Sequence, residues 1–307
     1  SLPELRKAEV AVCLATVIAR TARPGNPMSG SACQEISYAK AQGQLAYYRV
    51  LEAQGKVRLL DDAEGLQAHM RAWQASPTTE PLGFILAMEG ADPIVWPAQV
   101  GSWWEDGLRV VSLSHYGQSA YAYGTSTEGG LTEAGRELLR EMDRVGMILD
   151  LTHLSEPAFW EALDAYNGPV LASHNNCRAL VPGDRQFSDA QVRAIVERDG
   201  VIGVALDAWM LYPGWVKGET SPEVVGLDAV AAQIDHICQV AGNARHAAIG
   251  SDLDGGYGTE QCPHDLDTIA DLQQIPQLLR QRGYGQEQVE AIMFGNWIGF
   301  LERAWQK

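Results

Sequence analysis

The sequence predicts an α/β protein built as a (β/α)8, TIM-type barrel, and three observations carry that reading. Short apolar runs rich in Val, Ile and Leu alternate with amphipathic helical segments along the chain, with no repeat and no low-complexity linker, the pattern of a parallel sheet wrapped by helices. Connections into strands are short, Gly146, Gly168 and Gly200 each following a helix almost directly, whereas those leaving strands (115–131, 175–188, 207–225 and 253–266) are long and polar. A barrel builds its working face from the loops after its strands, so this asymmetry marks that face. No G-x-G-x-x-G follows an early strand, which weighs against a doubly wound dinucleotide fold.

The elements follow in order. EVAVCLATVIA, from Glu9, is a nearly continuous apolar run of the kind buried on both faces. Helices are expected over 36–54 and 62–74, then strands over 82–88, ending at Glu89, and 108–114, ending at His115. A helix from Thr132 carries Leu138, Leu139, Met142 and Val145 on one side. Strands at 147–152 and 168–173 flank a helix that Ser155 can cap, and they end at His153 and His174. Ser188 opens the next helix, with Gln191 at the capping-box position. Strands 201–206 and 246–251, the latter ending at Asp252, bracket a helix with Leu227, Val230, Ile234 and Ile237 on one stripe. Two closing helices are expected, 276–282 and 287–305. That makes seven strands where a closed barrel wants eight, and the absent first strand is expected upstream of Ser1.

Length and composition narrow the function classes. A chain of 307 residues holds one large barrel or two ordinary domains, and a single domain over 1–307 is expected. The net charge of −16 argues against nucleic acid or an anionic membrane surface as partner. No apolar run is long enough to span a membrane. The five cysteines are scattered, form no CxxC pair and are odd in number, which fits a reducing compartment and disfavours both disulfides and thiolate metal sites. No targeting segment is visible, so a cytoplasmic location is the default expectation; a homodimer is left open.

The chemistry gathers at the strand ends. His153 and His174 close consecutive strands joined by about a dozen helical residues, and such strands are parallel neighbours whose ends emerge at one sheet edge. Glu89, His115 and Asp252 end three further strands. A single polar residue at a strand end is ordinarily a cap, but five around one rim form a mixture of imidazole and carboxylate suited to zinc or a similar divalent ion. Two metals bridged by a carboxylate would hold a hydroxide at neutral pH, leaving Asp252 to accept or pass a proton. None of the lysines closes an apolar strand, so Glu89 is a better bridge than a carboxylated lysine.

AMEGADPI around Glu89, SLSH at His115, GLTEAGRELLREMDRVGMILDLTH, PVLASHNNCRAL, GDRQFSD and IGSDLDG together resemble the membrane (renal-type) dipeptidase family of the amidohydrolase superfamily, from about Leu2 to Leu301. The resemblance implies a barrel with two zinc ions that hydrolyses dipeptides and related small amides. It implies Glu89 as the bridging metal ligand and His153 and His174 as ligands of the second zinc. His115 would steady the developing oxyanion, Asp252 would handle the proton, and Arg185 would bind the C-terminal carboxylate of a dipeptide-like substrate.

Departures bear on this. The family's first strand carries an H-x-D pair that completes the other zinc site, and nothing before Leu2 carries it here. Arg185-Gln186 stands where the family has R-N, DAWML where it has a tyrosine, and the tyrosine-rich loop after His115 replaces one rich in threonine and asparagine. Without the H-x-D pair the first zinc site is expected to be incomplete, whereas the other three changes leave the metal chemistry alone and bear on substrate choice. A hydrolase of another small amide, lactam or ester, and a barrel that binds without turnover, are the competing readings. Asp254 reads as a structural cap rather than a second base, and His69, His236, His246 and His264 read as surface or structural.

Overall fold

The computed structural model describes residues 1–253 and 255–306; Asp254 lies outside the described residues. After α1 (Leu2–Lys7), strands and helices alternate in two units, one around Val10–Pro169 and the other around Val170–Leu301 with Ser1–Glu9.

The unit around Val10–Pro169 contains β1 (Val12–Val17), α2 (Gln34–Ala53), β2 (Val57–Leu59), α3 (Ala63–Ala75), β3 (Leu82–Met88), α4 (Val100–Glu105), β4 (Leu108–Ser112), α5 (Glu133–Val145), β5 (Ile148–Asp150) and α6 (Glu156–Ala165). β1, β3, β4 and β5 pair in parallel in that order. Every residue of β3, β4 and β5 is buried, and each large apolar side chain so placed stabilises by roughly 1.5–3 kcal/mol relative to exposure. β1 departs from expectation: Val12, Cys13, Leu14 and Thr16 are only half-buried, because a continuous apolar run does not reveal which of its faces is covered. Thr132 and Ser155 accept hydrogen bonds from Gly135 N and Ala158 N, the N-caps that start α5 and α6.

Three elements, α1, α4 and β2, lie outside those expected from the sequence pattern. β2 pairs with β3 at Val57–Leu82 and Leu59–Phe84, while β4 pairs with it at Leu86–Leu108 and Met88–Val111. β1 runs along β3 from Gly83 to Met88, so β2 and β4 share its other edge, and β2 adds no rung to the sheet. Three residues beside a helix carry too little alternation to announce such a strand.

The unit around Val170–Leu301 contains β6 (Val170–Leu171), α7 (Asp189–Glu197), β7 (Ile202–Val204), α8 (Leu227–Ala241), β8 (Ala247–Ile249), α9 (Ile275–Gln281), α10 (Gln286–Glu290) and the greater part of α11 (Asn296–Ala304). β7 pairs in parallel with β8, and Ala172, just past β6, bridges in parallel to Ile202. A Cβ on Gly203 or Gly250 would overlap the Ser173 carbonyl, so these glycines permit backbone to meet backbone beside His174. Ser188 and Gln191 form the expected capping box.

The single closing helix expected over 287–305 is interrupted by a π-helical turn at Ala291–Gly295. Asn296 Nδ2 donates to the carbonyls of Ala244 and Ala247, both at 2.8 Å, and Trp297 Nε1 donates to that of Ile249 at 2.9 Å. Gripping β8 at both ends outweighs keeping a regular helix.

Parallel strands alternating with helices in both units match the expected α/β class. Among the described residues no helix is long and apolar enough to cross a membrane, and all five cysteines are free thiols. Each of the four histidines without motif context has a hydrogen-bond partner: His69, His246 and His264 each meet a backbone carbonyl, and His236 meets the Asp189 carboxylate at 2.8 Å.

Candidate metal centre

β3 delivers Glu89, whose backbone N–H donates to the Val17 carbonyl and so ties it to the end of β1. His115 follows β4 and His153 follows β5. These three side chains converge: Glu89 Oε1 lies 3.2 Å from His153 Nε2 and 3.7 Å from His115 Nε2. The two imidazoles lie 4.3 Å apart between centroids, tilted by 39°, and the Tyr116 ring packs edge-on against both, at 4.9 and 5.1 Å.

The loop 115–131 is a chain of tight turns that closes back on the site. Gly117 N donates to the Thr125 carbonyl and Thr125 N to the His115 carbonyl. A Cβ on Gly124 would overlap that same His115 carbonyl, so only glycine lets the loop fold so closely. The fold places the Thr125 hydroxyl over His153.

The partners on the far side of each ring decide which nitrogen carries the proton. Thr125 Oγ1 donates to the His153 carbonyl at 3.3 Å and lies 3.1 Å from His153 Nδ1. A hydroxyl has one proton to give, so Nδ1–H donates to Oγ1, and in the neutral ring Nε2 turns its lone pair toward Glu89. At His115 the arrangement is reversed. Nδ1 lies 3.1 Å from an Arg20 guanidinium nitrogen, which can only donate, so Nδ1 accepts and the proton sits on Nε2. Of two rings sharing a carboxylate, one presents a lone pair and the other an N–H.

This donor set fits a divalent cation. A ligating histidine donates its remote N–H to an acceptor, as His153 does, and the facing acceptors Nε2 and Oε1 repel unless a positive charge lies between them. His115 has the opposite polarity and suits hydrogen-bond donation rather than ligation. His153 also holds a positive φ of 67°, a costly conformation for a non-glycine residue that gathers at functional positions; the Thr125 hydroxyl on its carbonyl helps to hold it.

In the other unit His174 follows β6, with Nδ1 2.8 Å from Ser173 Oγ. Arg185 is 3% exposed, donating to the His174 carbonyl at 2.7 Å and to Asn175 Oδ1. Asn176 fastens the same loop through Ala205 N, the Ala205 carbonyl and the Met210 carbonyl. Asp252, after β8, is the second candidate residue with positive φ, at 54°. Near it Asp207 accepts from Gln261 Nε2 at both carboxylate oxygens, at 2.8 and 2.9 Å. Burial, and less strongly the Asp252 charge, push the Asp207 carboxyl up to about 6.

Sequence reasoning missed Thr125, Arg20 and Asp207. Thr125 and Asp207 gave no signal, since a hydroxyl or carboxylate in a polar loop has no period or motif. Arg20 did give one: it closes the apolar run of β1, the same strand-end position that singled out the others.

The sequence profile described as "Membrane dipeptidase (Peptidase family M19)" matches residues 1–306. The fold is similar to that of a dipeptidase described as an M19 metallo peptidase (TM-score 0.85, 25% identity, covering 100% of this chain and 89% of that one). It is likewise similar to a metallo peptidase from Rhodobacter sphaeroides solved with a phosphinate mimic of the dipeptide L-Ala-D-Ala (TM-score 0.84, 25% identity, 99% and 90%). Among curated proteins the dipeptidase tcpJ of Claviceps purpurea is 32% identical over 204 residues, 64% of this chain and 44% of that protein. The chain spans between 44% and 64% of the length of the first curated relatives it matches. Matched over nearly its whole length by the family profile, the chain belongs to the membrane dipeptidase family, peptidase family M19.

Proposed function

We propose that this chain hydrolyses the amide bond of dipeptides with the help of zinc, as one (β/α)8 domain. The observation that carries the reading is the geometry around Glu89: the Thr125 hydroxyl on His153 Nδ1 and the Arg20 guanidinium on His115 Nδ1 give the two neutral rings opposed polarity toward one carboxylate. Family membership supports it, as does similarity to a metallo peptidase that binds a dipeptide mimic.

In this reading Glu89, His153 and His174 would hold zinc, with Glu89 shared between two ions. Zinc bound there would acidify water and so supply hydroxide at neutral pH. His115 donates from Nε2–H to the substrate carbonyl oxygen as that oxygen gains charge. Asp252 takes a proton and returns it to the leaving amine. Arg185 grips the free C-terminal carboxylate with a guanidinium that its bonds to His174 and Asn175 already orient.

The test is hydrolysis across a panel of dipeptides, amino-acid amides, lactams and esters, before and after chelation. Dipeptide cleavage should vanish on chelation, return with zinc and be lost in Glu89→Gln. Cleavage that survives exhaustive chelation would rule the proposal out, and a tenfold preference for a lactam or ester over every dipeptide would reassign the substrate.

A further inference from the structure

Arg20 stands three residues beyond β1, half-buried, on a segment whose backbone is held from several directions. Gln44 clamps the preceding Ile18, accepting from its N–H at 2.9 Å and donating to its carbonyl at 2.8 Å. Ser31 N donates to the Arg20 carbonyl at 2.7 Å, and Thr21 N donates to the buried Asp92 carboxylate at 2.8 Å. Arg20 Nε reaches the Ser29 carbonyl at 3.5 Å, which turns the guanidinium toward His115, where its Nη1 lies 3.1 Å from Nδ1. A pocket lined by Arg20, Asn26, Asp92, His115, Tyr116 and Gln118 opens beside the ring. Arg20 is therefore a preorganised cation on the remote nitrogen of an imidazole that lines a small pocket.

We propose that Arg20 is a positioning residue for the reaction: by donating to Nδ1 it keeps the His115 proton on Nε2, the nitrogen that faces Glu89 and the reacting carbonyl. The proposal rests on the dipeptidase reading of the same site. Guanidinium has donors and no acceptor, so it tolerates one neutral imidazole tautomer and excludes the other. The excluded tautomer would turn a lone pair toward the substrate oxygen, where a donor is needed as negative charge develops. It would also give His115 the polarity of a metal ligand. Arg20 thus separates the roles of two adjacent imidazoles that Glu89 alone would treat alike.

The experiment compares Arg20→Met and Arg20→Lys with the parent protein, all loaded with zinc and checked for folding by circular dichroism. Nitrogen-15 spectra of histidine-labelled protein, with the His115 signals assigned by His115→Gln, report which ring nitrogen is protonated. The parent should show a protonated Nε2 and a bare Nδ1 on His115. In Arg20→Met that signature should broaden into two tautomers, with kcat down about 10–100-fold, the scale of losing one positioned group, KM within about threefold and zinc content unchanged. Arg20→Lys, which can still donate, should recover part of both. An unchanged His115 spectrum and unchanged kcat in Arg20→Met would overturn the proposal, as would a parent spectrum with the proton on Nδ1. Absence of dipeptide hydrolysis in the parent, with the Nε2–H signature present, would instead fault the dipeptidase reading.

Discussion

Replacing Thr125 by valine keeps the shape of the side chain and removes its hydroxyl, which makes it a clean probe of the metal-centre reading. Both bonds from that hydroxyl go to one residue: it accepts from His153 Nδ1–H at 3.1 Å and donates to the His153 carbonyl at 3.3 Å. Thr125 and His153 are 3% and 5% exposed, so water does not freely replace the lost partner. Leaving a buried polar group short of a partner costs about 1–3 kcal/mol, and here the backbone with φ of 67° loses a support as well. The remote partner of a ligating histidine contributes about 10–100-fold to metal affinity. Thr125→Val should therefore bind zinc about 10–100-fold more weakly in competition with a chromophoric chelator and melt at lower temperature, while Thr125→Ser recovers most of both. Zinc affinity within threefold of the parent, in a variant that is destabilised as expected, would refute the idea that this hydroxyl sets the ligand polarity of His153.

Other consequences are equally direct. Gly124→Ala forces a methyl into the His115 carbonyl, an overpacking worth about 1–3 kcal/mol; urea denaturation should show that loss together with reduced hydrolysis, and an unperturbed protein would mean the loop yields freely. Arg185→Ala should raise KM about 10–100-fold for dipeptides with a free C-terminal carboxylate, the worth of a charge-assisted pair, and equal losses on C-terminally amidated substrates would remove Arg185 from substrate binding. The Asp207 carboxyl is pushed up to about 6 from 3.8. Its folded form thus holds a proton that the unfolded chain releases earlier, and its stabilisation is complete below about pH 4 and lost as pH rises through 6. Measured by urea denaturation, the parent should lose up to about 3 kcal/mol relative to Asp207→Asn between pH 4 and 7; parallel stability curves would contradict this.

Much of the fold was legible because period and punctuation agree along the chain. Leu82–Met88 is an uninterrupted apolar run and is a strand with those bounds; Ser155 and Ser188 precede periodic helices and cap them. What escaped depends on the third dimension. β2 exists because three residues meet the unused half of one edge of β3. The closing helix breaks because Asn296 and Trp297 find carbonyls on β8. The site divides in the same way. Glu89, His115 and His153 were readable as strand-end residues, since parallel strands deliver their ends to one side. The partners that distinguish the two histidines were not, because Arg20 and Thr125 are far away in sequence and near only once the loops have folded.

The most direct measurement is a crystal structure of zinc-loaded protein with anomalous scattering recorded above and below the zinc edge. A peak about 2.0–2.2 Å from both Glu89 and His153 Nε2, with His115 Nε2 outside ligand distance, is the predicted result. A peak ligated by His115 Nε2, or none near Glu89 and His153, would contradict the assignment on which the proposed chemistry depends.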